Sequence, residues 1–443
     1  MVSKEESYRN SLFETLRELE DRASDFVYAP GKDFTRRRKL PFSDTMKAVI
    51  IMEGNSLNKE LCDIFNFNTD GSFISKSAFV QRRNKIKPEA FEDAFRIFNG
   101  RTSCNDLNLY DGYRLLAVDG SDVNIPLNED SSTYFPPNNR SDKGFNQFHI
   151  NALYDILNNT YTDCIIQDAP KKQEVEAARQ MMKRLGKRST KDIVIADRGY
   201  ASLDLMETVR DAGADFLFRV PESFIRETTN LPEQDCDTEV SFTIVTRQTK
   251  ENKRLMAEGK AKWLQGPSRL GKNKKTVTWF HGSPYSMSLR LVKFKLDNGN
   301  YEIICTSLNP DKFPPEKLKE LYHLRWGIET SFRFLKYAIG LMNFHAKREA
   351  SVKQEIFARL LMYNFCSTIA NTVIVEQNEN RELKKYKINF TAAIHICFAW
   401  LKRQLKLDVR ELIAQYIEPV RPGREDKRNI KIKSFTYFLY RVA

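Results

Sequence analysis

Hydrophobic residues recur at helical spacing through the first hundred residues of the chain. Residues 11–26 form the first such pattern, with apolar side chains on one helical face. Three shorter helical patterns follow over 43–54, 56–65 and 75–95, separated by Gly, Asn and Ser residues that typically interrupt helices. This succession predicts a helical module over residues 1–105.

The pattern changes near residue 113, where apolar runs become shorter and richer in β-branched residues. Three strand-like runs come first, over 114–125, 145–156 and 161–168. They are followed by a helical pattern, an apolar strand that ends at Asp197, a second helical pattern closed by Gly213, and another strand. Strands that give way to alternating helices and strands are typical of an α/β domain with a mixed sheet. We assign residues 106–221 to the first part of this domain.

The segment from 222 to 314 lacks helical periodicity and alternates β-branched with polar residues. Asp297-Asn298-Gly299 within it is a hairpin signal. We therefore predict a β-rich insertion over 222–314. A long helical pattern begins at Glu316 and completes the domain over 315–349. The C-terminal region, 350–443, contains two further helical patterns and ends in a basic tail.

The chain is basic, because Lys and Arg number 71 against 58 Asp and Glu, which gives a formal net charge of +13. Such a surface attracts polyanions such as DNA, RNA or anionic membranes, although a merely solubilising surface explains the charge equally well. Basic residues gather over 36–39, 75–95, 247–275 and 421–433. Short helices that end in a basic helix suit a DNA-binding module over 1–105, and an ordinary helical domain with a solvated basic face is the alternative. The tail is either a DNA-contacting arm or a solvated terminus.

Several classes of protein are disfavoured by the sequence. An apolar stretch of the ~20 residues that a membrane helix needs is absent, and the N-terminus lacks the basic-then-apolar layout of a secretory signal. The seven cysteines and five histidines are scattered singly, without the spacing of zinc ligands. An odd, unclustered set of cysteines indicates a reducing compartment and no disulfide framework. We therefore expect a cytoplasmic protein without a zinc site.

Two aspartates follow apolar strand-like runs, Asp119 in LLAVDGS and Asp197 in IVIADRGY. In α/β sheets, side chains at the C-terminal ends of strands face the crevice where ligands bind. Gly120 and Gly199 permit tight turns and the close approach of a phosphate. A single aspartate of this kind is more often a turn residue or a helix cap, but two in similar settings indicate a site. Asp122 has the same chemistry, and we interpret it as a turn or supporting residue.

Four polar residues share one face of the helix predicted after Pro315. At about 100° per residue, they fall within a narrow sector. These residues are Tyr322, Arg325, Glu329 and Lys336. An apolar stripe that would be buried lies beside them. It consists of Leu321, Ile328, Phe332, Leu335 and Ile339. An ordinary i,i+4 ion pair between Arg325 and Glu329 is the alternative explanation for the polar face.

The candidate residues point to metal-dependent chemistry. Carboxylates without His or Cys ligands favour Mg²⁺ or Mn²⁺ over zinc. Carboxylates paired through two such ions serve in-line displacement at phosphodiesters. Arg325 and Lys336 would grip the phosphates of a strand.

These residues resemble the signature of the DDE transposases of bacterial insertion sequences. The match is to the cut-and-paste group, which is defined by the spacing Tyr-x2-Arg-x3-Glu-x6-Lys. Tyr322, Arg325, Glu329 and Lys336 occupy all four positions. The two strand-end acids precede them, Asp119 in VDGS and Asp197 in ADRGY. The resemblance spans about residues 113–345 and accommodates a β-rich insertion.

The resemblance implies an RNase H-like catalytic core whose third acid comes from a helix after the insertion. It implies hydrolytic nicking, a hairpin intermediate formed by the freed 3′-OH, and transfer of that 3′-OH to target DNA. Asp119, Asp197 and Glu329 would bind two divalent ions, Mg²⁺ or Mn²⁺. Tyr322, Arg325 and Lys336 would hold the terminal phosphates. The implied partners are the terminal inverted repeats and target DNA, bound by a dimer on paired element ends at the nucleoid of a prokaryotic cytoplasm.

Relatives in this group stack a tryptophan on a flipped base during hairpin formation. Trp263 and Trp279 are candidates by their location in the predicted insertion, and Trp326 by its place on the helix that carries Glu329. The sequence alone leaves this choice open.

Two other functions remain open on the sequence. A metal-dependent nuclease on the same core would cleave DNA without joining it. An inactive or domesticated relative would bind DNA without cleaving it, although all three acids and the whole signature are present. An assay of strand transfer would distinguish the nuclease from a transposase. An assay of cleavage would distinguish the inactive relative from a transposase.

Overall fold

The computed structural model describes residues 3–36, 40–65, 74–102, 107–137, 144–186, 190–267, 278–296, 299–375, 386–402, 405 and 408–420. Four features named above therefore lie wholly or partly outside the described residues. They are the basic run 36–39, the end of the basic segment 247–275, the hairpin signal 297–299 and the tail 421–433.

Helices form the first part of the described chain. They are α1 (Lys4–Asp21), α2 (Phe42–Ile51), α3 (Leu57–Ile64), α4 (Lys76–Arg83) and α5 (Glu89–Thr102). Ser3, Ser56 and Ser75 begin α1, α3 and α4, where each side-chain oxygen accepts a hydrogen bond from a backbone N–H of the first turn. Serine is favoured there because it satisfies a donor that the helix itself leaves unpaired.

Strands and helices alternate in the middle of the chain. The elements are β1 (Tyr113–Ile125), β2 (Tyr134–Phe135), β3 (Phe145–Asp155), β4 (Thr160–Asp168), α6 (Glu174–Leu185), β5 (Lys191–Ala196), α7 (Leu203–Asp211) and β6 (Asp215–Val220). The next segment contains α8 (Arg226–Thr229), β7 (Cys236–Val245), α9 (Lys250–Ala257), β8 (Ala261–Trp263), β9 (Tyr285–Lys295) and β10 (Tyr301–Thr306). The last elements are α10 (Pro315–Leu324), α11 (Trp326–Tyr337), α12 (Glu349–Ala370), β11 (Tyr386–Ile388), α13 (Phe390–Leu401), α14 (Val409–Gln415) and β12 (Ile417–Pro419).

Strands β1 to β10 belong to one mixed sheet. Its first half has the order β4-β3-β1-β5-β6, in which β3 is antiparallel to both β4 and β1, while β1, β5 and β6 are parallel. This is the strand order of the RNase H-like fold. The predicted α/β class, with an RNase H-like mixed sheet flanked by helical segments, is therefore confirmed.

The β-rich segment after β6 extends the same sheet. Strand β10 pairs with β6, and β9, β7 and β8 continue outward in that order. Two short helices, α8 and α9, also form within this segment, where the sequence shows no helical periodicity. Thr249 caps α9 by accepting a hydrogen bond from the backbone N–H of Asn252. Its short length gives little helical periodicity to detect in the sequence.

Two hydrophobic cores lie on opposite faces of the sheet. On one face, α6 and α7 pack against side chains such as Leu116 and Val118 of β1. On the other, α11, α12 and the N-terminal helices pack against Leu115 and Ala117. Helix α12 is buried on all sides over most of its length, since α1, α2, α5 and α13 surround it. No helix within the described residues is long and apolar enough to cross a membrane.

Basic side chains of α4 and of the loop after it form hydrogen bonds and ion pairs with other parts of the protein. Arg82 donates to the carbonyl oxygen of Leu40 at 2.9 Å, and Arg83 forms a 2.6 Å ion pair with Glu355 of α12. Lys85 forms a 2.7 Å ion pair with Asp33. These three basic side chains are therefore engaged in contacts within the protein.

The Arg83–Glu355 pair gives a first prediction. Both residues are almost fully buried, at 3% and 1% exposure. Burial alone would raise the pKa of Glu355, but Arg83 and His345 hold that pKa well below its ordinary value. Replacing Arg83 by Met would leave the carboxylate without its main partner, so we expect a loss of about 3–5 kcal/mol in the free energy of unfolding.

Urea denaturation followed by circular dichroism measures this loss. Lys76→Met is the matched control, because Lys76 is exposed on the same helix. A loss for Arg83→Met no larger than that of the control would contradict the prediction.

Candidate active site

Asp119 and Asp197 lie at the same level of the sheet because their strands are neighbours. Strands β1 and β5 are parallel and adjacent, with Val118 opposite Ala196. Asp197 follows the end of β5, and Asp119 lies within β1 at the point where the pairing of β1 with β5 stops. The prediction that Asp119 ends its strand is wrong, because β1 continues to Ile125 in antiparallel register with β3. Asp119 continues the alternation of Leu115 and Ala117, which directs it toward the face covered by α11.

Each aspartate accepts a hydrogen bond from the backbone just after it. Oδ1 of Asp119 accepts from the N–H of Gly120 at 2.8 Å, and Oδ1 of Asp197 accepts from the N–H of Gly199 at 2.8 Å. Neither glycine has a positive φ, so the tight turns expected there are not the reason for glycine. A Cβ on Gly199 would lie 3.0 Å from Oδ1 of Asp197, and a Cβ on Gly120 would overlap the ring of His149. Glycine suits both positions because a neighbouring side chain lies where a Cβ would be.

The helix predicted after Pro315 is broken at Arg325. Helix α10 ends at Leu324 and α11 begins at Trp326. The N–H of Arg325 donates to the carbonyl of Tyr322 at 3.1 Å, which is an i to i−3 bond of the kind that tightens helix ends. A single helix was therefore the wrong prediction for this stretch, although the backbone of Arg325 stays in the right-handed helical region.

Arg325 connects two of the predicted acids. Its Nη2 donates to Oε1 of Glu329 at 2.9 Å, and its Nη1 lies 3.9 Å from Oδ2 of Asp119. The i,i+4 ion pair considered from the sequence is thus present, and the same guanidinium also reaches across to β1. Through Arg325, Glu329 of α11 is linked to Asp119 on β1.

The electrostatics of Asp119 reflect this crowding. Burial raises the pKa of Asp119 to about 6, and the negative charges of Asp197 and Glu329 act in the same direction. Arg325 and the Gly120 N–H oppose the rise. Three carboxylates that influence one another in a partly buried site are typical of a site built to receive a cation.

The remaining signature residues lie around this group. Nζ of Lys336 donates to the carbonyl oxygen of Asp122 at 2.9 Å, so it lies over the continuation of β1. Tyr322 is buried, at 6% exposure, with the Arg325 guanidinium 5.7 Å from its ring centre. Arg325 therefore links Asp119 to Glu329, Lys336 contacts the backbone of β1 at Asp122, and the ring of Tyr322 lies beside the Arg325 guanidinium.

Comparison with known proteins assigns the chain to a family. The family model described as the transposase DDE domain matches residues 110–365, which is more than half of the chain. The chain belongs to the transposase DDE domain family. The predicted kinship with DDE transposases is thereby confirmed, and assignment to the Tyr-Arg-Glu-Lys group stays a prediction.

Individual transposases resemble the chain to different extents. Transposase InsG for insertion sequence element IS4, from Escherichia coli K12, is 20% identical over 377 residues, which cover 82% of this chain and 78% of InsG. Putative transposase InsL for IS186A, from the same organism, is 36% identical over 66 residues, covering 15% of this chain and 18% of InsL. A cryo-EM structure of the piggyBac transposase synaptic complex with hairpin DNA aligns with a TM-score of 0.44 and 11% identity, covering 94% of this chain and 84% of that one.

The transposase also has a buried polar cluster that the sequence analysis missed. His149, at 2% exposure, lies between Asp122 and Glu174, with Nδ1 and Nε2 2.6 Å and 3.1 Å from their carboxylates. Lys172 lies 3.2 Å from Glu174. Burial would lower the pKa of His149, but its hydrogen bonds to Asp122 and Glu174 raise that pKa above its ordinary value.

This cluster supports the strand that carries Asp119. Asp122 lies within β1 and not in a turn, and it is directly opposite His149 on β3. The ring of His149 fills the space beside Gly120. No signal in the sequence could have found this contact, because it depends on the register of β1 against β3.

The residues of this transposase fit a divalent metal by chemistry, although the acids are not arranged as a closed metal site. Within the described part of the chain, no three His, Cys, Asp or Glu side chains are close enough together to hold a metal ion. Carboxylate oxygens are the ligands that Mg²⁺ and Mn²⁺ prefer. The Arg325 guanidinium now neutralises part of the charge that an ion would neutralise.

Proposed function

We propose that this transposase holds two divalent ions, Mg²⁺ or Mn²⁺, with Asp119, Asp197 and Glu329, and uses them to cut and rejoin DNA. One observation carries the proposal. Asp119 and Asp197 lie where the parallel pairing of β1 with β5 ends, and Arg325 links Glu329 to Asp119 there. Such a position is where α/β sheets bind their ligands.

The other residues of the site would position the DNA end. When bound, the divalent ions supply Lewis-acid stabilisation of the attacking and leaving oxygens in an in-line displacement. Arg325 offers a planar pair of donors to a phosphate, and Lys336 adds a point charge beside β1. The ring of Tyr322 supports the Arg325 guanidinium. We propose that the same site hydrolyses one strand, forms and reopens a hairpin with the freed 3′-OH, and transfers that 3′-OH to target DNA.

Among the three tryptophans considered for base stacking, Trp326 is the best suited. Trp279 is fully buried, and its indole N–H donates to the carbonyl of Gly282 at 2.9 Å. Trp263 donates to the carbonyl of Thr246 at 3.2 Å. Trp326 is 45% exposed and directly follows Arg325. We therefore propose that Trp326 stacks on the flipped base.

Replacing Trp326 by Ala gives a second prediction. Loss of one base–aromatic stack removes about 1–3 kcal/mol, so hairpin formation should slow by roughly 5- to 150-fold while the first nick is little changed. Gel analysis of a labelled element end separates the nicked and hairpin products. Trp326→Phe should retain most of the hairpin activity, because it keeps an aromatic face. Equal slowing of nicking and hairpin formation in Trp326→Ala would contradict a stacking role.

The other parts of the chain have proposed roles as well. We propose that the helical region 1–105 binds DNA, that the β-rich segment 222–314 contacts it through its basic residues, and that 315–349 completes the core that begins at 106–221. The C-terminal region 350–443 would add its basic tail to the DNA interface. Two copies of the protein would pair two element ends, at the nucleoid of a prokaryotic cytoplasm. Binding should weaken steeply with salt, because Lys and Arg displace counterions from DNA.

Strand transfer tests the proposed function directly. The purified protein is mixed with a pre-cleaved fragment of the element end, a target plasmid and Mg²⁺. Joined products are expected. Cleavage of an intact end without joining would favour a nuclease, and binding without cleavage would favour an inactive relative.

A further inference from the structure

Arg325 lies between two of the acids and is shielded from solvent. Its Nη2 and Nη1 lie 2.9 Å from Glu329 and 3.9 Å from Asp119, and the residue is 6% exposed. Its Nε is buried without a hydrogen-bond partner among the described residues. The guanidinium is thus held mainly by the two carboxylates, and its Nε–H donates no hydrogen bond within the described part of the chain.

The break between α10 and α11 sets this position. Arg325 is the residue at which the two helices meet, and its guanidinium lies 5.7 Å from the ring centre of Tyr322 and 5.3 Å from that of Trp326. Aromatic faces attract a cation without forming directed hydrogen bonds. The side chain is therefore stabilised between the acids, while nothing in these contacts prevents it from rotating toward a new acceptor.

A divalent ion and the guanidinium compete for the same oxygens. An ion held by Asp119 and Glu329 would contact carboxylates that Arg325 now contacts, and two cations at that separation repel one another strongly in a buried site. Moving Arg325 away without a new acceptor would leave its charge buried and unpaired, which is unfavourable. A DNA phosphate is a suitable acceptor, because guanidinium binds phosphate through paired hydrogen bonds.

We propose that Arg325 couples DNA binding to metal binding. In the absence of DNA its guanidinium occupies the space between Asp119 and Glu329, and a phosphate of the DNA end draws it away and opens the metal site. This inference rests on the proposed function, since it takes the two acids as metal ligands. By linkage, DNA tightens metal binding and metal tightens DNA binding by the same factor, about 5- to 150-fold for couplings of this kind.

Titration with Mn²⁺, with the free ion followed by electron paramagnetic resonance, tests the coupling. The full-length protein is titrated with and without a duplex that carries one element end, and the duplex alone is titrated for subtraction. The wild type should bind Mn²⁺ about 5- to 150-fold more tightly with the duplex. Arg325→Gln should bind Mn²⁺ more tightly than the wild type without DNA, and should gain little when the duplex is added. Arg333→Gln, exposed on α11, should behave as the wild type.

The outcomes separate this inference from the proposed function. Equal Mn²⁺ affinity with and without the duplex in the wild type would overturn the coupling, whatever the variants do. Unchanged or weaker DNA-free affinity in Arg325→Gln would also overturn it, and Arg325→Lys, which keeps the charge, should retain the weak DNA-free binding. If Glu329→Gln binds Mn²⁺ as the wild type does in the presence of the duplex, the ion is elsewhere, and the proposed function itself fails.

Discussion

Replacing Glu329 by Gln is expected to reduce DNA cleavage by about 10³-fold or more while leaving binding to the element end intact. The change removes one negative charge from the proposed metal site. Electrostatic stabilisation of the transition state by bound metal is worth several kcal/mol, and each 1.36 kcal/mol corresponds to a factor of ten in rate. The amide oxygen of Gln still accepts a hydrogen bond from Arg325, so the fold around α11 should be preserved.

Cleavage of a labelled element end with Mg²⁺, and a gel-shift titration without divalent metal, measure the two properties separately, because bound metal itself is expected to tighten DNA binding. Glu316→Gln is the matched control, because Glu316 is exposed in the first turn of α10. The control should cleave and bind as the wild type does. Unchanged cleavage in Glu329→Gln would refute the assignment of this residue to the site, and loss of binding alone would point to a DNA-contacting role.

Replacing Gly120 by Ala should have the second largest effect, a loss of about 10²-fold in cleavage. The added Cβ would overlap the His149 ring, with Cε1 of that ring only 2.7 Å away. His149 cannot move aside easily, because Asp122 and Glu174 hold both of its ring nitrogens. The backbone of β1 must shift instead, and it carries Asp119. A displacement of about 1 Å at a reacting group is enough for a loss of this size.

A second substitution distinguishes steric overlap from other causes. His149→Ala in the Gly120→Ala background restores space, so cleavage should rise toward the level of His149→Ala alone. Gly100→Ala on α5 is the control, since a Cβ there meets nothing within 4 Å. Overpacking costs about 1–3 kcal/mol, so urea denaturation of Gly120→Ala should show a loss of that size. Cleavage at the wild-type rate in Gly120→Ala would contradict the prediction, because it would show that β1 accommodates the added Cβ.

Much of the site is visible in the sequence because its signals are local. Asp119 and Asp197 each follow an apolar run, and a run of that kind predicts a strand whatever surrounds it. The spacing of the signature residues from Tyr322 to Lys336 depends only on helical geometry. The chain is helical on both sides of Arg325, so the break there does not remove the pattern on which the family resemblance rests. The α/β class and the RNase H-like core follow from the same local patterns and are confirmed by the strand order.

Other features depend on contacts between distant parts of the chain. The basic residues of α4 suited a DNA-binding module or a solvated face, but Arg83 is buried against Glu355, more than two hundred and fifty residues later. The sequence contains both charges and no signal that pairs them. The sequence predicted a β-rich insertion over 222–314, but not that β10 would join it to the core sheet through β6. Strand partners are chosen by register and packing, which a single strand does not specify.

The sequence by itself therefore determined that Asp119 and Asp197 adjoin apolar strand segments and that the signature residues lie in helical segments, because strand and helix periodicity are properties of the local chain. Only the tertiary structure decided that Arg325 lies between Asp119 and Glu329, and that His149 fills the space beside Gly120. Both contacts join elements whose relative position is set by sheet register and by the packing of α11 on β1. Those are properties of the assembled core, where burial and charge compensation decide which side chains meet.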